Sequence, residues 1–155
     1  MGFLDETSQK SALPHEHFMK LALQEAELAK EKDEVPVGAI LVCDQQIIAR
    51  SHNLSEMLTD VTAHAEMQLI TMGSSYLGGK FLDGCQLYVT LEPCNMCAGA
   101  LYWARIGTLI YGASDEKRGY SQAGNSLLHP KTKVVSGIMQ DECSTILSNF
   151  FKTKR

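Results

Sequence analysis

The sequence has no long hydrophobic run. Its longest nearly unbroken apolar stretch, Val35 to Cys43, is nine residues, and a membrane-spanning helix needs about 20. The first ten residues, MGFLDETSQK, are acidic and lack an apolar core. No secretory signal is therefore expected, and a cytoplasmic protein is. Glu6 stands where an N-myristoylation motif requires Ser or Thr. Aromatic residues make up only 7% of the chain, and there are just four prolines. Internal repeats, linkers and low-complexity segments are absent. Excess positive charge is absent too: the net charge is −4, which argues against indiscriminate binding of nucleic acid. Five cysteines are an odd number in a chain that is not small, so a disulfide framework is not expected.

What is present describes a soluble globular chain. It has 155 residues, 45% hydrophobic and 21% charged, which suits one domain over residues 1–155 with a flexible segment at 1–13. The charge is unevenly spread. Residues 1–104 carry a balance of −8 and residues 105–155 a balance of +4, so the last third can form a basic patch.

Hydrophobic periodicity orders the chain. Pro14 suits a first helical turn, and Phe18, Leu21, Ala22, Ala26 and Ala29 continue at helical spacing, which predicts a helix over 14–31. Strands are expected at 37–43 and 47–51, joined as a hairpin through Asp44-Gln45-Gln46. A polar loop follows at 53–62. A helix is expected from Ala63 to about Met72, ended by Gly73. Further elements are a strand at 85–90, a helix at 95–104, strands at 108–111 and 134–135, and an amphipathic helix from Met139 to Phe150. Residues 114–131 show no clear pattern. Helices alternating with strands imply a layered α/β fold, and the hairpin makes its sheet mixed.

Two short segments carry chemistry. Thr62-Ala63-His64-Ala65-Glu66 and Glu92-Pro93-Cys94-Asn95-Met96-Cys97 together read His-x-Glu, 26 intervening residues, then Pro-Cys-x-x-Cys. Cys94 and Cys97 at the start of a helix share one face, and a helix N-terminus favours their thiolates. His64 can add a nitrogen. Three ligands leave a fourth zinc position open, the mark of a catalytic rather than a structural site. None of the other cysteines and histidines forms a second recognisable ligand pair. Glu66, two residues past His64, can then take and pass on protons without binding the metal. Each part alone has an ordinary reading: a redox pair, a packed histidine, a solvated carboxylate. A redox Cys-x-x-Cys leaves His64 and Glu66 without a task.

This signature resembles the zinc-dependent cytidine and nucleobase deaminase superfamily. The resemblance narrows with Glu34-Val35-Pro36-Val37-Gly38-Ala39, Asn53, Leu87 to Cys94, Met96 to Ala100, Tyr111-Gly112-Ala113, Asp141-Glu142-Cys143 and Phe150-Phe151. Across residues 14–152 the chain is similar to bacterial tRNA-specific adenosine deaminases. That resemblance implies a three-layer α/β/α cytidine-deaminase-like fold with a central mixed sheet of about five strands. It implies one zinc per chain on His64, Cys94 and Cys97, with Glu66 as proton shuttle. Asn53 and the backbone N–H of Ala65 would contact the target base; a loop asparagine is also a common turn former. The implied substrate is the wobble adenosine of a tRNA anticodon stem-loop, converted to inosine by a homodimer. Leu101 and Trp103 are candidate interface residues or core. Departures are Val61 in place of a common Pro, Leu101 to Arg105, which resembles guanine deaminases, and Lys117 to Ser126 in place of a loop of small residues. The alternatives are a small-molecule deaminase acting on guanine, cytosine or a nucleoside, and a non-catalytic zinc-stabilised module.

Overall fold

A computed structural model describes residues 13–124 and 126–154. Apart from Leu13, the expected flexible N-terminal segment lies outside the described residues. The elements run α1 (His15–Glu31), β1 (Gly38–Cys43), β2 (Gln46–His52), α2 (Ala65–Leu77), β3 (Cys85–Leu91), α3 (Asn95–Ala104), β4 (Thr108–Ala113), β5 (Lys133–Val135) and α4 (Gln140–Thr153). One five-stranded sheet has the order β2-β1-β3-β4-β5. β1 is antiparallel to both β2 and β3, whereas β3, β4 and β5 are parallel. The mixed α/β sheet expected from the sequence is present.

Both faces of the sheet are covered. Alternation along the strands sends Ala39, Leu41, Leu87, Val89 and Leu109 to one side, where they pack with Ala65 and Leu69 of α2 and Ala98 and Leu101 of α3. Ile40, Val42, Tyr88 and Ile110 face the other side, against Phe18, Met19 and Ala22 of α1 and Cys143 of α4. β1 and β3 bury both faces, which explains their near-continuous apolar sequences.

Four local expectations change. The first hairpin turns on Asp44 and Gln45 alone, both at positive φ (51° and 63°), the geometry of a two-residue type I′ turn. Gly73 does not end α2. It lies inside the helix, where a Cβ would stand 2.4 Å from Leu41 Cδ2; glycine is there to let α2 lie close on β1. The helix ends instead at Gly78, left-handed at φ 71°. Residues 114–124, without a pattern in the sequence, contain a short 3₁₀ turn at Tyr120–Ala123. Finally, Cys43 and Cys85 form a disulfide, Cα–Cα 4.5 Å. The β1–β3 register sets these two residues directly opposite one another, a proximity that 42 residues of separation hide in the sequence.

Candidate metal centre and active site

The site forms where the N-termini of α2 and α3 meet, above the β1–β3 centre of the sheet. His64 is the N-cap residue of α2, with extended backbone (φ −69°, ψ 155°). Cys94 is the N-cap residue of α3 (φ −73°, ψ 174°). Cys97 follows in the first turn of α3 and is fully buried. The β2–α2 junction is held by side chains that the sequence did not single out. Ser51 Oγ donates to the Ala65 carbonyl at 2.7 Å. Gln68 Nε2 donates to the carbonyls of His52 at 2.8 Å and Ala63 at 3.1 Å. These bonds fix the chain direction just where His64 leaves for the site.

His64 Nδ1 lies 3.6 Å from Cys94 Sγ and 3.5 Å from Cys97 Sγ. The three ligand atoms fall within 4.8 Å of one another. A tetrahedral zinc with Zn–S about 2.3 Å and Zn–N about 2.0 Å separates its N and S ligands by roughly 3.5 Å. The two sulfur–nitrogen distances fit that requirement, and a nitrogen and two sulfurs are the donors zinc favours.

The electrostatics favour the same use. Cys94 is pulled down to about 4, first by the hydrogen bond from Cys97 and then by His64, against the cost of burial. Cys97 is pushed up by holding that bond to Cys94 and by its burial. His64 is raised, chiefly by its hydrogen bond to Cys94. Glu66 is 4% exposed. Burial pushes its carboxyl up to about 7, opposed by its own backbone N–H and the charge of His64. A carboxyl group beside the ligand triad, balanced near neutrality, can both accept and release a proton.

The structure therefore brings His64, Glu66, Cys94 and Cys97 together, with Ala65 between the first two at the helix start. Asn53 stands at the end of β2 and is buried. Its Oδ1 accepts the Ser55 N–H at 3.2 Å, and its Nδ2 donates to the Val35 carbonyl at 3.4 Å. The turn-forming reading of this residue is realised. An open groove of about 410 Å³ runs beside His64, lined by Ser55, Glu56, Thr59, Asp60 and Val61.

Two buried carboxylates that brace the loops around the site were missed. Glu34 is fully buried and accepts the N–H groups of Glu56 and Met57 at 2.9 and 2.8 Å, bracing the loop that walls this groove. Glu92, 3% exposed, takes three hydrogen bonds from residues 115–121. Each stands beside an apolar strand segment and close to a proline. An acidic residue in such surroundings was the available signal.

The family model for MafB19-like deaminases matches residues 13–155. The chain belongs to this deaminase family. It is 50% identical over 144 residues to the tRNA-specific adenosine deaminase of Agrobacterium fabrum, covering 90% of this chain and 95% of that one. A solved structure from work on A-to-I editing by tRNA:A34 deaminases at the wobble position of transfer RNA superimposes with a TM-score of 0.79 at 49% identity, covering 84% of this chain and 99% of that one. The guanine deaminase from Bacillus subtilis superimposes with a TM-score of 0.64 at 38% identity, covering 72% and 71% of the two chains. The family and fold read from the sequence motifs are those found.

Proposed function

We propose that this deaminase hydrolyses the wobble adenosine of a tRNA anticodon stem-loop to inosine, releasing ammonia. One observation carries the chemistry: three zinc-type donors at mutually suitable distances, beside a buried carboxylate. Similarity to tRNA-specific adenosine deaminases along nearly the whole chain supports the substrate.

His64, Cys94 and Cys97 would hold one zinc per chain. When bound, zinc supplies Lewis acidity that brings the deprotonation of water from a pKa of 15.7 to about 7. The chain's own residues do the rest. Glu66 takes one proton from the attacking water and delivers it to N1 of the purine, then passes a second, from the new C6 hydroxyl, to the departing amine. Water adds at C6, the C6–N6 bond breaks, and the net change is adenosine plus water to inosine plus ammonia. The N–H of Ala65, in the first turn of α2, has no acceptor within its own helix and is free to meet the base. Beyond its bonds to Ser55 and Val35, Asn53 would offer the base its remaining amide hydrogen and lone pair. The base must leave its stack, which an anticodon loop makes cheaper than a duplex does. The basic patch expected after residue 105 includes exposed Lys117 and Arg118, next to Gly119, whose backbone pairs with that of Cys94. Lys154 instead pairs with Asp33.

We also propose a homodimer acting in the cytoplasm. Leu101 belongs to the core, whereas Trp103 is 77% exposed; with Tyr76 and Phe81, also exposed, it offers apolar surface to a second copy. No helix among the described residues is long and apolar enough to cross a membrane. The similarity to a guanine deaminase favours a second reading, deamination of a free base.

Purified protein should contain about one zinc per chain, lost in Cys94→Ala. Ammonia release should be measured side by side with an anticodon stem-loop carrying a wobble adenosine, free guanine, cytosine and adenosine. Turnover of the stem-loop alone is expected. Efficient guanine turnover with the stem-loop unchanged would establish the second reading, and no turnover at all would leave a zinc-stabilised module.

A further inference from the structure

We infer that Glu92 is a positioning residue. Its buried carboxylate fastens residues 114–123 against the Pro93–Cys94 corner and thereby sets where Lys117 and Arg118 present their charges to an RNA backbone. The inference rests on the RNA reading above.

Glu92 follows β3 directly and is almost fully buried. No lysine, arginine or histidine among the described residues pairs with it. Among the described residues, its side-chain hydrogen bonds come from one segment. Oε1 accepts the Asp115 N–H at 3.0 Å. Oε2 accepts the Ser121 N–H at 3.0 Å and the Ser121 hydroxyl at 2.7 Å. A buried carboxylate is costly unless so bonded, and hydrogen bonds to a charged group are the strong ones. The segment is thus gripped near both ends by one side chain.

Between those ends it lies directly on the site. Gly119 pairs with Cys94 through the backbone, and Tyr120 N–H donates to the Pro93 carbonyl at 2.9 Å. A Cβ on Gly119 would stand 2.3 Å from the Glu92 carboxylate, so nothing larger than glycine fits between the segment and its anchor. Asp115 Oδ1 accepts the N–H groups of Lys117 and Arg118 at 3.1 and 3.0 Å. The two cations therefore ride on a turn whose first residue Glu92 holds. Residues 114–118 bury no side chain of their own. Its apolar hold is Tyr120, buried and edge-on to Tyr111 at 6.4 Å.

Glu92→Gln keeps the shape but turns an N–H₂ toward N–H donors. Five measurements test the inference. Amide exchange across 114–123 should speed up by at least about tenfold. KM for the stem-loop should rise about 10- to 100-fold, with kcat within about threefold and zinc at one per chain. The slope of log affinity against log salt should shrink by about 1.4, the contribution of two phosphate contacts to a single strand. Lys117→Ala with Arg118→Ala should reproduce that slope change, and adding Glu92→Gln to the pair should change little more, since coupled residues are not additive. Ser121→Ala, which leaves the backbone bonds in place, should raise KM less and in the same direction. A Glu92→Gln protein with lowered kcat or lost zinc and unchanged KM would overturn the inference. So would wild-type KM and salt slope in the Lys117/Arg118 double variant while the wild type edits the stem-loop. A wild-type protein that fails to edit the stem-loop overturns the substrate reading, and this inference with it.

Discussion

Gly38→Ala should destabilise this protein far more than the addition of one methyl group suggests. Gly38 opens β1 beneath α1. A Cβ there would lie 2.0 Å from the Ala22 carbonyl oxygen, 2.4 Å from Ala26 N and 2.7 Å from Glu25 Cβ. Two of these neighbours are helix backbone, so no side-chain rotation relieves the clash. Ordinary contact begins near 3.4 Å, and α1 would have to withdraw by about 1.4 Å. Phe18, Met19, Ala22, Ala26 and Ala29, all 0–2% exposed, would lose contact with the sheet together. A radial gap of 0.5–1 Å already forfeits about a quarter to a half of a dispersion well. Overpacking typically costs about 1–3 kcal/mol, and a backbone clash belongs at or above the upper end. A bare Gly→Ala change would stabilise by about 0.4–1 kcal/mol through the unfolded chain; the clash outweighs this. At about 2–4 °C per kcal/mol for a chain of this size, Tm should fall by roughly 6–12 °C. Gly79→Ala is the control, with nothing within 4 Å of the new Cβ, and should stay within about 0.5 kcal/mol of wild type. Paired calorimetric scans of the three proteins decide it. A Gly38→Ala Tm within about 2 °C of wild type, less than about 1 kcal/mol for a chain of this size, would refute the claim that α1 rests on β1 backbone to backbone.

Glu66→Gln should retain zinc and fold while turnover drops by about 10²–10⁴-fold, the usual worth of positioned acid–base catalysis; near wild-type turnover would remove the assigned role. Glu34→Ala strips the acceptor from two backbone N–H groups and should cost about 2–4 kcal/mol, read as a lower urea midpoint; an unchanged midpoint would show that the 53–62 loop does not depend on it. The Cys43–Cys85 bond closes a 42-residue separation, for which the chain-entropy account gives about 4 kcal/mol at most. Dithiothreitol should therefore lower the denaturation midpoint of the oxidised protein and leave the Cys43→Ser/Cys85→Ser variant unmoved. Equal midpoints with and without reductant would count against it.

The donor set of the candidate metal site was legible in the sequence because it is local. His64 and Glu66 open one helix and Cys94 and Cys97 open another, so each pair spans only a few residues of sequence. The main elements were legible for a similar reason: hydrophobic period and turn chemistry act over a few residues. The tertiary structure decided whatever depends on residues far apart in the chain. Gly73 looks like a helix stop until Leu41 is seen beneath it. Cys43 and Cys85 look unrelated until β1 and β3 are in register. Leu101 and Trp103 are both apolar residues of one helix, yet only packing against the sheet sends Leu101 to the core and leaves Trp103 outside. Glu34 and Glu92 stand within motif segments, yet those segments do not name their partners, which are chiefly backbone N–H groups that any sequence supplies. Such groups become specific only when a fold sets them around a carboxylate cut off from water.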